Sequence, residues 1–150
     1  MQPHEIKPNT QLCTIMGYNA QTGKSRQYFN KILKDNGINA TAIALNISDD
    51  HFAFTMQNLA KSKVERVIVE YEFGVDALKY CDESNSNQSI DCVEVVEGKI
   101  IGINLDTKLD ELMDTSMLDK QAKLALKMMI IASRWYGAPI EIDNIPLMLG

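Results

Sequence analysis

The chain has 150 residues and a formal net charge of −5, with a pI near 5.0. This length is typical of one domain with its own core, and an acidic chain without a basic stripe argues against a nucleic-acid partner. The longest apolar run, residues 124–132, is interrupted by Lys127 and is too short to cross a bilayer. We therefore expect no membrane association.

The start of the chain and its cysteines indicate a cytoplasmic protein. Residues 1–10 contain two prolines and no periodic pattern, which predicts a loose lead-in and no signal peptide. The three cysteines are an odd number without close spacing. Reduced thiols and no metal site are the expected reading of Cys13, Cys81 and Cys92.

The first half of the chain alternates strand and helix patterns. Three short apolar runs predict strands, at residues 12–16, 40–45 and 67–69. Helical spacing or a helix cap predicts three helices, at residues 25–36, after the N-cap Ser48, and at residues 75–81.

The second half predicts a hairpin followed by helices. Strands at residues 92–96 and 99–103 flank Glu97-Gly98, a turn in which Gly accepts a positive φ. The remaining segments are a surface loop at 82–88, an acidic linker at 108–116, a long helix at 116–136 and a short helix at 143–149. This order predicts an α/β fold, a mixed β-sheet sandwiched by helices, as a single domain over residues 1–150.

Two motifs in the second half resemble separated pieces of one enzyme family. Gly102-Ile103-Asn104-Leu105-Asp106-Thr107 resembles the Gly-x-Asn-Thr-Asp-Gly segment that closes the substrate domain of shikimate dehydrogenase. Met117-Leu118-Asp119-Lys120-Gln121-Ala122 resembles the Met-Leu-x-x-Gln-Ala helix that follows the family's nicotinamide-binding domain. Residues 10–37, 37–47, 64–80 and 89–107 are similar, in order, to further parts of the family's substrate domain. The resemblance implies a substrate-binding domain without the NADP-binding domain.

The residues with which the family holds its substrate are only partly matched. The Ser-x-Ser loop that binds the substrate carboxylate falls on Gly23 and Ser25, and the catalytic lysine falls on Glu72, a reversal of charge. A strand asparagine and threonine fall on Arg66 and Ile68. The resemblance thus implies a degenerate site with Asp106, and Glu72 at the lysine position, as catalytic candidates. It implies these substrate-binding residues: Ser25, Arg66, Asn104, Asp106 and Gln121.

Some of these residues also have structural interpretations. Instead of binding a ligand, Asp106 could serve as the N-cap of a helix near Leu109. Ser25 could likewise serve as the cap of the first helix. With Lys24 and the helix N-terminus, however, the Ser25 hydroxyl could attract a carboxylate. Gln121 could be an exposed residue of its helix.

Arg66 and Glu72, the charged residues in and after the third predicted strand, also have alternative interpretations. The Arg66 guanidinium could hold Asp91, Asp106 or an anionic ligand in a bidentate pair. Glu72 could point to water beside Lys79 or Arg66. It could instead share a pocket with Asp106, and the pKa of one carboxyl would then be raised.

These residues predict a stand-alone domain that binds a small polar carboxylate or hydroxy acid. No Gly-x-Gly-x-x-Gly motif lies between a strand and a helix, so we expect no nicotinamide cofactor and no hydride transfer by this chain alone. Two alternatives remain. One is a substrate-binding subunit of a shikimate or quinate dehydrogenase, an oxidoreductase of aromatic amino acid biosynthesis, with the nucleotide domain supplied in trans. The other is a non-catalytic oligomerisation or regulatory module.

The apolar stretch at residues 124–132 bears on partners. Together with Trp135 and Tyr136 it predicts apolar surface that needs a cover. A homodimer or a complex with a separate nucleotide-binding protein would supply that cover. The alternative is that this helix is the central core helix.

Overall fold

The computed structural model describes residues 9–149. Most of the expected lead-in over residues 1–10 lies outside that range. The helices in chain order are α1 Lys24–Asp35, α2 Asp49–Gln57, α3 Gly74–Leu78, α4 Asp106–Leu112, α5 Lys120–Tyr136 and α6 Ile145–Leu149. The strands are β1 Gln11–Gly17, β2 Ala40–Asn46, β3 Arg66–Val69, β4 Glu83–Ser84, β5 Cys92–Val96 and β6 Lys99–Ile103.

The described strands form one mixed sheet in the order β2-β1-β3-β5-β6-β4. β3 is parallel to β1 and antiparallel to β5, while β4 is parallel to β6. β5 and β6 pair as the predicted hairpin, and its turn residues Glu97 and Gly98 have φ values of 52° and 79°. Two positive φ values are those of the turn that matches strand twist. The α/β class with a mixed sheet is confirmed.

The chain divides into two compact units. The helical unit holds the residues up to Leu12, residues 24–42 and the residues from Leu105 onward, and the sheet unit holds residues 13–23 and 43–104. The single domain over residues 1–150 stays a prediction.

The sheet unit has a continuous apolar core. Phe52 and Phe73 are stacked at its centre, with ring centroids 4.2 Å apart and planes 11° from parallel. β1, β3 and β5 contribute Met16, Val67 and Val93, all fully buried. Aromatic pairs of this kind add to the free energy gained from burying their area.

The helical unit is built on the contact of α1 with α5. Phe29 is fully buried on α1 and meets the ring of Trp135 edge to face, with centroids 6.3 Å apart. On α5, Leu126 and Ile131 are also fully buried. Much of the apolar stretch at residues 124–132 therefore packs within this chain, as the alternative of a core helix predicted. The homodimer or complex with a nucleotide-binding protein stays a prediction.

Three segments differ from the sequence prediction. Within the expected loop at 82–88, Glu83–Ser84 forms β4 beside β6. Within the expected linker at 108–116, residues up to Leu112 belong to α4. The long helix begins at Lys120 and not at Ser116, because the Asp119 side chain accepts a hydrogen bond of 2.7 Å from the Ala122 N–H and caps it.

Asn30 on α1 covers the backbone of the outermost strand β2. Its carboxamide accepts a hydrogen bond of 2.8 Å from the Ala42 N–H and donates one of 3.3 Å to the Ala42 carbonyl. A side chain that pairs with both groups of one residue acts as a short piece of neighbouring strand and protects the sheet edge.

We expect Asn30→Ala to lower the free energy of unfolding by about 1–3 kcal/mol, because two backbone groups of Ala42 lose their partner. Hydrogen exchange measured by NMR should show faster exchange of the Ala42 amide. Lys31→Ala, at the neighbouring exposed position, is the control and should leave that amide unchanged. Equal exchange in all three proteins would show that Asn30 does not protect the strand.

Candidate functional site

One edge of the sheet unit gathers several of the predicted residues. Because β1 and β3 are parallel and β5 and β6 alternate in direction, the carboxyl ends of β1, β3 and β6 and the amino end of β5 share an edge. The residues that follow or precede those ends are Tyr18, Glu72, Asn104 and Asp91. One strand, β5, lies between β3 and β6, so these two strands are roughly 10 Å apart.

Glu72 is fixed by the backbone of the neighbouring strand end. Its Oε2 accepts a hydrogen bond of 2.8 Å from the Tyr18 N–H. The residue is exposed, but its carboxylate lies over the end of β1 and not beside Lys79, whose ammonium pairs with Asp76 at 3.3 Å. The carboxylate that the resemblance predicts at the lysine position is therefore held at the end of β1.

A second carboxylate, that of Glu70, lies over the same strand end. A Cβ added to Gly17 would be 2.5 Å from the Glu70 Cγ and 2.9 Å from the Glu72 Oε2. A Cβ added to Gly23 would be 3.1 Å from the Glu70 Oε2. A carboxylate of this chain thus lies beside Gly23, the residue at which the sequence resemblance predicts one of the two serine positions.

Tyr18 lies at the same edge, beside a further carboxylate. Its ring packs on Phe73 with centroids 4.8 Å apart, and its hydroxyl donates a hydrogen bond to the Asp49 carboxylate. That hydrogen bond, followed by burial and by the charges of Asp49, Asp76 and Glu72, raises the pKa of the Tyr18 hydroxyl above its ordinary value. The carboxylates near Tyr18 therefore disfavour a further negative charge on its hydroxyl.

Arg66 lies at the other end of β3. It stands directly opposite Glu94 in the β3–β5 register, so these two side chains share a face of the sheet. Asp91 is beside Val69, whose N–H donates to the Asp91 carbonyl at 3.0 Å. The register therefore favours Glu94 over the predicted Asp91 as the acid that faces Arg66.

Asn104 follows β6 and fastens a loop. Its backbone N–H donates to the Asn85 Oδ1 at 2.7 Å, and its carbonyl accepts from the Asn85 Nδ2 at 3.0 Å. The Asn104 Nδ2 donates to the Ser89 carbonyl at 3.0 Å. Asn104 thus lies at the same edge as Glu72, and its side-chain amide nitrogen holds Ser89 in place.

The other predicted residues belong to the helical unit. Ser25 is buried as the second residue of α1, one place inside the helix, so it is not the cap. Gln121 is exposed as the second residue of α5. Asp106 is the first residue of α4, whose N-cap is Leu105. The interpretation of Asp106 as an N-cap is therefore wrong.

Asp106 has a cation beside it that the motif comparison did not identify. The Lys127 Nζ on α5 lies 3.6 Å from the Asp106 Oδ1. The Lys127 side chain is 25% exposed and that of Asp106 is 68% exposed. The signal in the sequence was the lysine itself, which interrupts the apolar stretch at residues 124–132.

The helical unit also contains a polar groove of about 220 Å³. Ile32 and Met129 are its apolar lining residues between the end of α1 and α5. The remaining lining residues are polar, charged or proline: Lys31, Asp35, Asn36, Pro139, Glu141 and Asn144. None of the predicted site residues lines this groove.

The possible metal ligands of residues 9–149 do not cluster. That range holds no group of three or more His, Cys, Asp or Glu residues placed to bind a metal ion. The cysteines are free thiols, and burial, with a smaller effect of the Asp82 charge, raises the pKa of Cys81 to about 11. A thiol with such a pKa is a poor nucleophile at neutral pH.

The helices described here are too short or too polar for any of them to cross a membrane.

Comparison with solved structures defines the class of fold. The structure of shikimate dehydrogenase from Aquifex aeolicus matches with a TM-score of 0.61 at 18% identity, covering 85% of this chain and 54% of that one. The 5-ketofructose reductase of Gluconobacter sp. strain CHM43 matches with a TM-score of 0.58 at 17% identity, covering 68% and 38%. The mixed sheet with its helices is therefore a fold found within both of these proteins.

A sequence relative makes the resemblance specific. The chain is 26% identical over 105 residues to the shikimate dehydrogenase (NADP(+)) of Methanococcus maripaludis strain C6, covering 67% of this chain and 38% of the relative. No family model matches the chain. The resemblance to shikimate dehydrogenase is confirmed in sequence and in fold, and the chain spans only part of the length of these proteins.

Proposed function

We propose that this chain is a shikimate dehydrogenase-like domain that binds a small polar hydroxy acid and has a degenerate catalytic site. The observation that carries the proposal is the retention of Asn104, Asp106 and Gln121 in a chain with this fold and this relative. Carboxylate and carboxamide groups are suited to bind hydroxyl groups, because they accept and donate hydrogen bonds in fixed directions.

Each predicted residue has a proposed role in this binding. Asp106, exposed at the start of α4, accepts a hydroxyl proton and is the remaining acid–base candidate. Gln121, exposed on α5, and Asn104 orient the ligand through their amides. Ser25 is proposed as a hydroxyl donor and Arg66 as an anion contact, although the position of Arg66 opposite Glu94 makes it the weakest member.

The position of Glu72 supports binding over hydride transfer. Exchange of a proton with a substrate hydroxyl is aided by a nearby ammonium, which stabilises a developing oxyanion. Glu72 supplies a negative charge instead, and its carboxylate is held by the Tyr18 N–H. We therefore propose that the isolated chain binds its ligand without a nicotinamide cofactor and without oxidising it.

Ligand-observed NMR with shikimate and quinate, in the absence of NADP, tests the proposed function. Saturation transfer to either acid, competed by excess of the other, is the expected result. The control is benzoate, a carboxylate without hydroxyl groups, which should show no specific transfer. If neither hydroxy acid binds at millimolar concentration, the proposed function is wrong.

Reversal of the charge at Glu72 tests whether this residue belongs to the proposed binding site. We expect Glu72→Lys to strengthen shikimate binding at least tenfold, about 1.4 kcal/mol, because an ammonium replaces a carboxylate that repels the acid. Glu65→Lys, an exposed change in the same unit, makes the same change in net charge and should alter the affinity less than twofold. Calorimetric titration measures both, and equal affinities in the two variants would place Glu72 outside the site.

A second candidate is a substrate-binding subunit that works with a separate nucleotide-binding protein. The observation in its favour is that the relative is an NADP(+) enzyme of which this chain covers 38%. Oxidation of shikimate that needs both this chain and a second purified protein would support it. A homodimer and a cytoplasmic location fit either candidate. A regulatory or oligomerisation module remains if neither binding nor assisted activity is found.

A further inference from the structure

We infer that Lys127 on α5, beside Asp106, contacts the charged end of the proposed hydroxy-acid ligand. This inference rests on the proposed function and extends it to a residue that the motifs do not assign. In the helical unit the Lys127 Nζ lies 3.6 Å from the Asp106 Oδ1.

The surroundings of Lys127 are unusual for a surface lysine. Its side chain is only 25% exposed. A mostly covered stem restricts the directions in which the ammonium can point, so less conformational entropy is lost when the ammonium binds a ligand. Asp106, at 68% exposure, remains accessible to solutes.

Carboxylates also lie close together in the sheet unit, where Glu70 and Glu72 are both near Gly17 and Tyr18 bonds to Asp49. A carboxylate raises the energy of a further negative charge beside it. The cation of Lys127 supplies, within the helical unit, the attraction that a carboxylate ligand needs.

The pair can bind two groups of one ligand. An ammonium has three donors and no acceptor, and an ionised aspartate has acceptors only. Lys127 can therefore donate to a ligand carboxylate while Asp106 accepts from a ligand hydroxyl, which gives the pair a preference for hydroxy acids over simple acids or simple alcohols. An ammonium beside a carboxylate makes a charge-assisted hydrogen bond, which is stronger than a neutral one.

A structural role would have a different signature. The Lys127 stem could cover apolar surface of α5 and the ion pair could join α4 to α5, an exposed interaction worth at most about 1 kcal/mol. Loss of such a role would lower stability and weaken every ligand equally. A ligand contact affects anionic ligands alone.

The test compares shikimate with its neutral methyl ester by calorimetric titration. For Lys127→Gln we expect shikimate affinity to fall at least tenfold while ester affinity changes less than threefold, and Lys127→Arg should restore most of the shikimate affinity. Lys123→Gln, one turn earlier on α5, is the matched control and should change neither. Thermal unfolding of each variant confirms that it is folded.

The outcomes separate this inference from the proposed function. If Lys127→Gln weakens both ligands equally or neither, the Lys127 inference is wrong and the proposed hydroxy-acid binding survives. If the wild-type chain binds the ester but neither shikimate nor quinate, the inference and the proposed function are both wrong. If the wild-type chain binds neither compound, both the inference and the proposed function fail.

Discussion

Phe73→Ala is expected to lower the free energy of unfolding by about 3–5 kcal/mol, because it removes a large side chain from a packed core. Phe73 is fully buried, stacks on Phe52 at 4.2 Å and supports the ring of Tyr18 at 4.8 Å. Its loss leaves a cavity and removes two aromatic contacts. Chemical denaturation followed by circular dichroism measures the change.

Phe54→Ala is the matched control for that measurement. Phe54 lies on α2 and is 67% exposed, so the same substitution should cost less than about 1 kcal/mol. In NMR spectra, the chemical shift of the Tyr18 backbone amide should change in Phe73→Ala and stay the same in Phe54→Ala. A loss below about 1 kcal/mol in Phe73→Ala would mean that the described core is wrong.

Gly17→Ala has the second largest expected effect, a loss of about 1–3 kcal/mol from overpacking. The added Cβ would lie 2.5 Å from the Glu70 Cγ and 2.9 Å from the Glu70 Cβ. These atoms lie close to the backbone, which is itself held by a hydrogen bond of 2.9 Å from the Glu70 N–H to the Met16 carbonyl. The strand end or the residues around Glu70 must therefore move.

A double-variant cycle isolates the clash. Glu70→Ala removes the Cγ and should recover part of the loss in the Gly17→Ala background, whereas the contact with the Glu70 Cβ remains. Coupling between the two changes of about 0.5 kcal/mol or more is expected for residues in contact. Strict additivity in thermal and chemical denaturation would show that Glu70 does not pack over Gly17.

The elements that the sequence predicted well are those that depend on neighbouring residues. The Glu97-Gly98 turn specifies a hairpin by its own φ values, and the apolar runs of β1, β2 and β3 specify strands. The motifs at residues 102–107 and 117–122 led to the resemblance that comparison confirms.

The elements that were missed depend on residues that are distant along the chain. β4 contains only Glu83 and Ser84 and exists because β6 lies beside it. At the start of α5, Ser116 and Asp119 are both good caps, and their local patterns do not decide between them. α4 begins within a motif that resembled the end of a strand.

The site contacts were beyond sequence reasoning for the same reason. Glu72 meets the backbone of Tyr18 across 54 positions, and Lys127 reaches Asp106 from another helix. The alignment placed a carboxylate where the family has lysine, but it could not show that a different lysine stands beside Asp106. Pairing of charges across a fold needs the register and packing of its elements.

Titration of the ¹⁵N-labelled chain with shikimate, without nucleotide, tests the central claim that this chain binds a hydroxy acid through the retained residues. We predict saturable shifts of the backbone amides of Asn104, Asp106 and Gln121. Lack of saturable shifts, or shifts confined to the polar groove lined by Lys31 and Asn144, would contradict the claim.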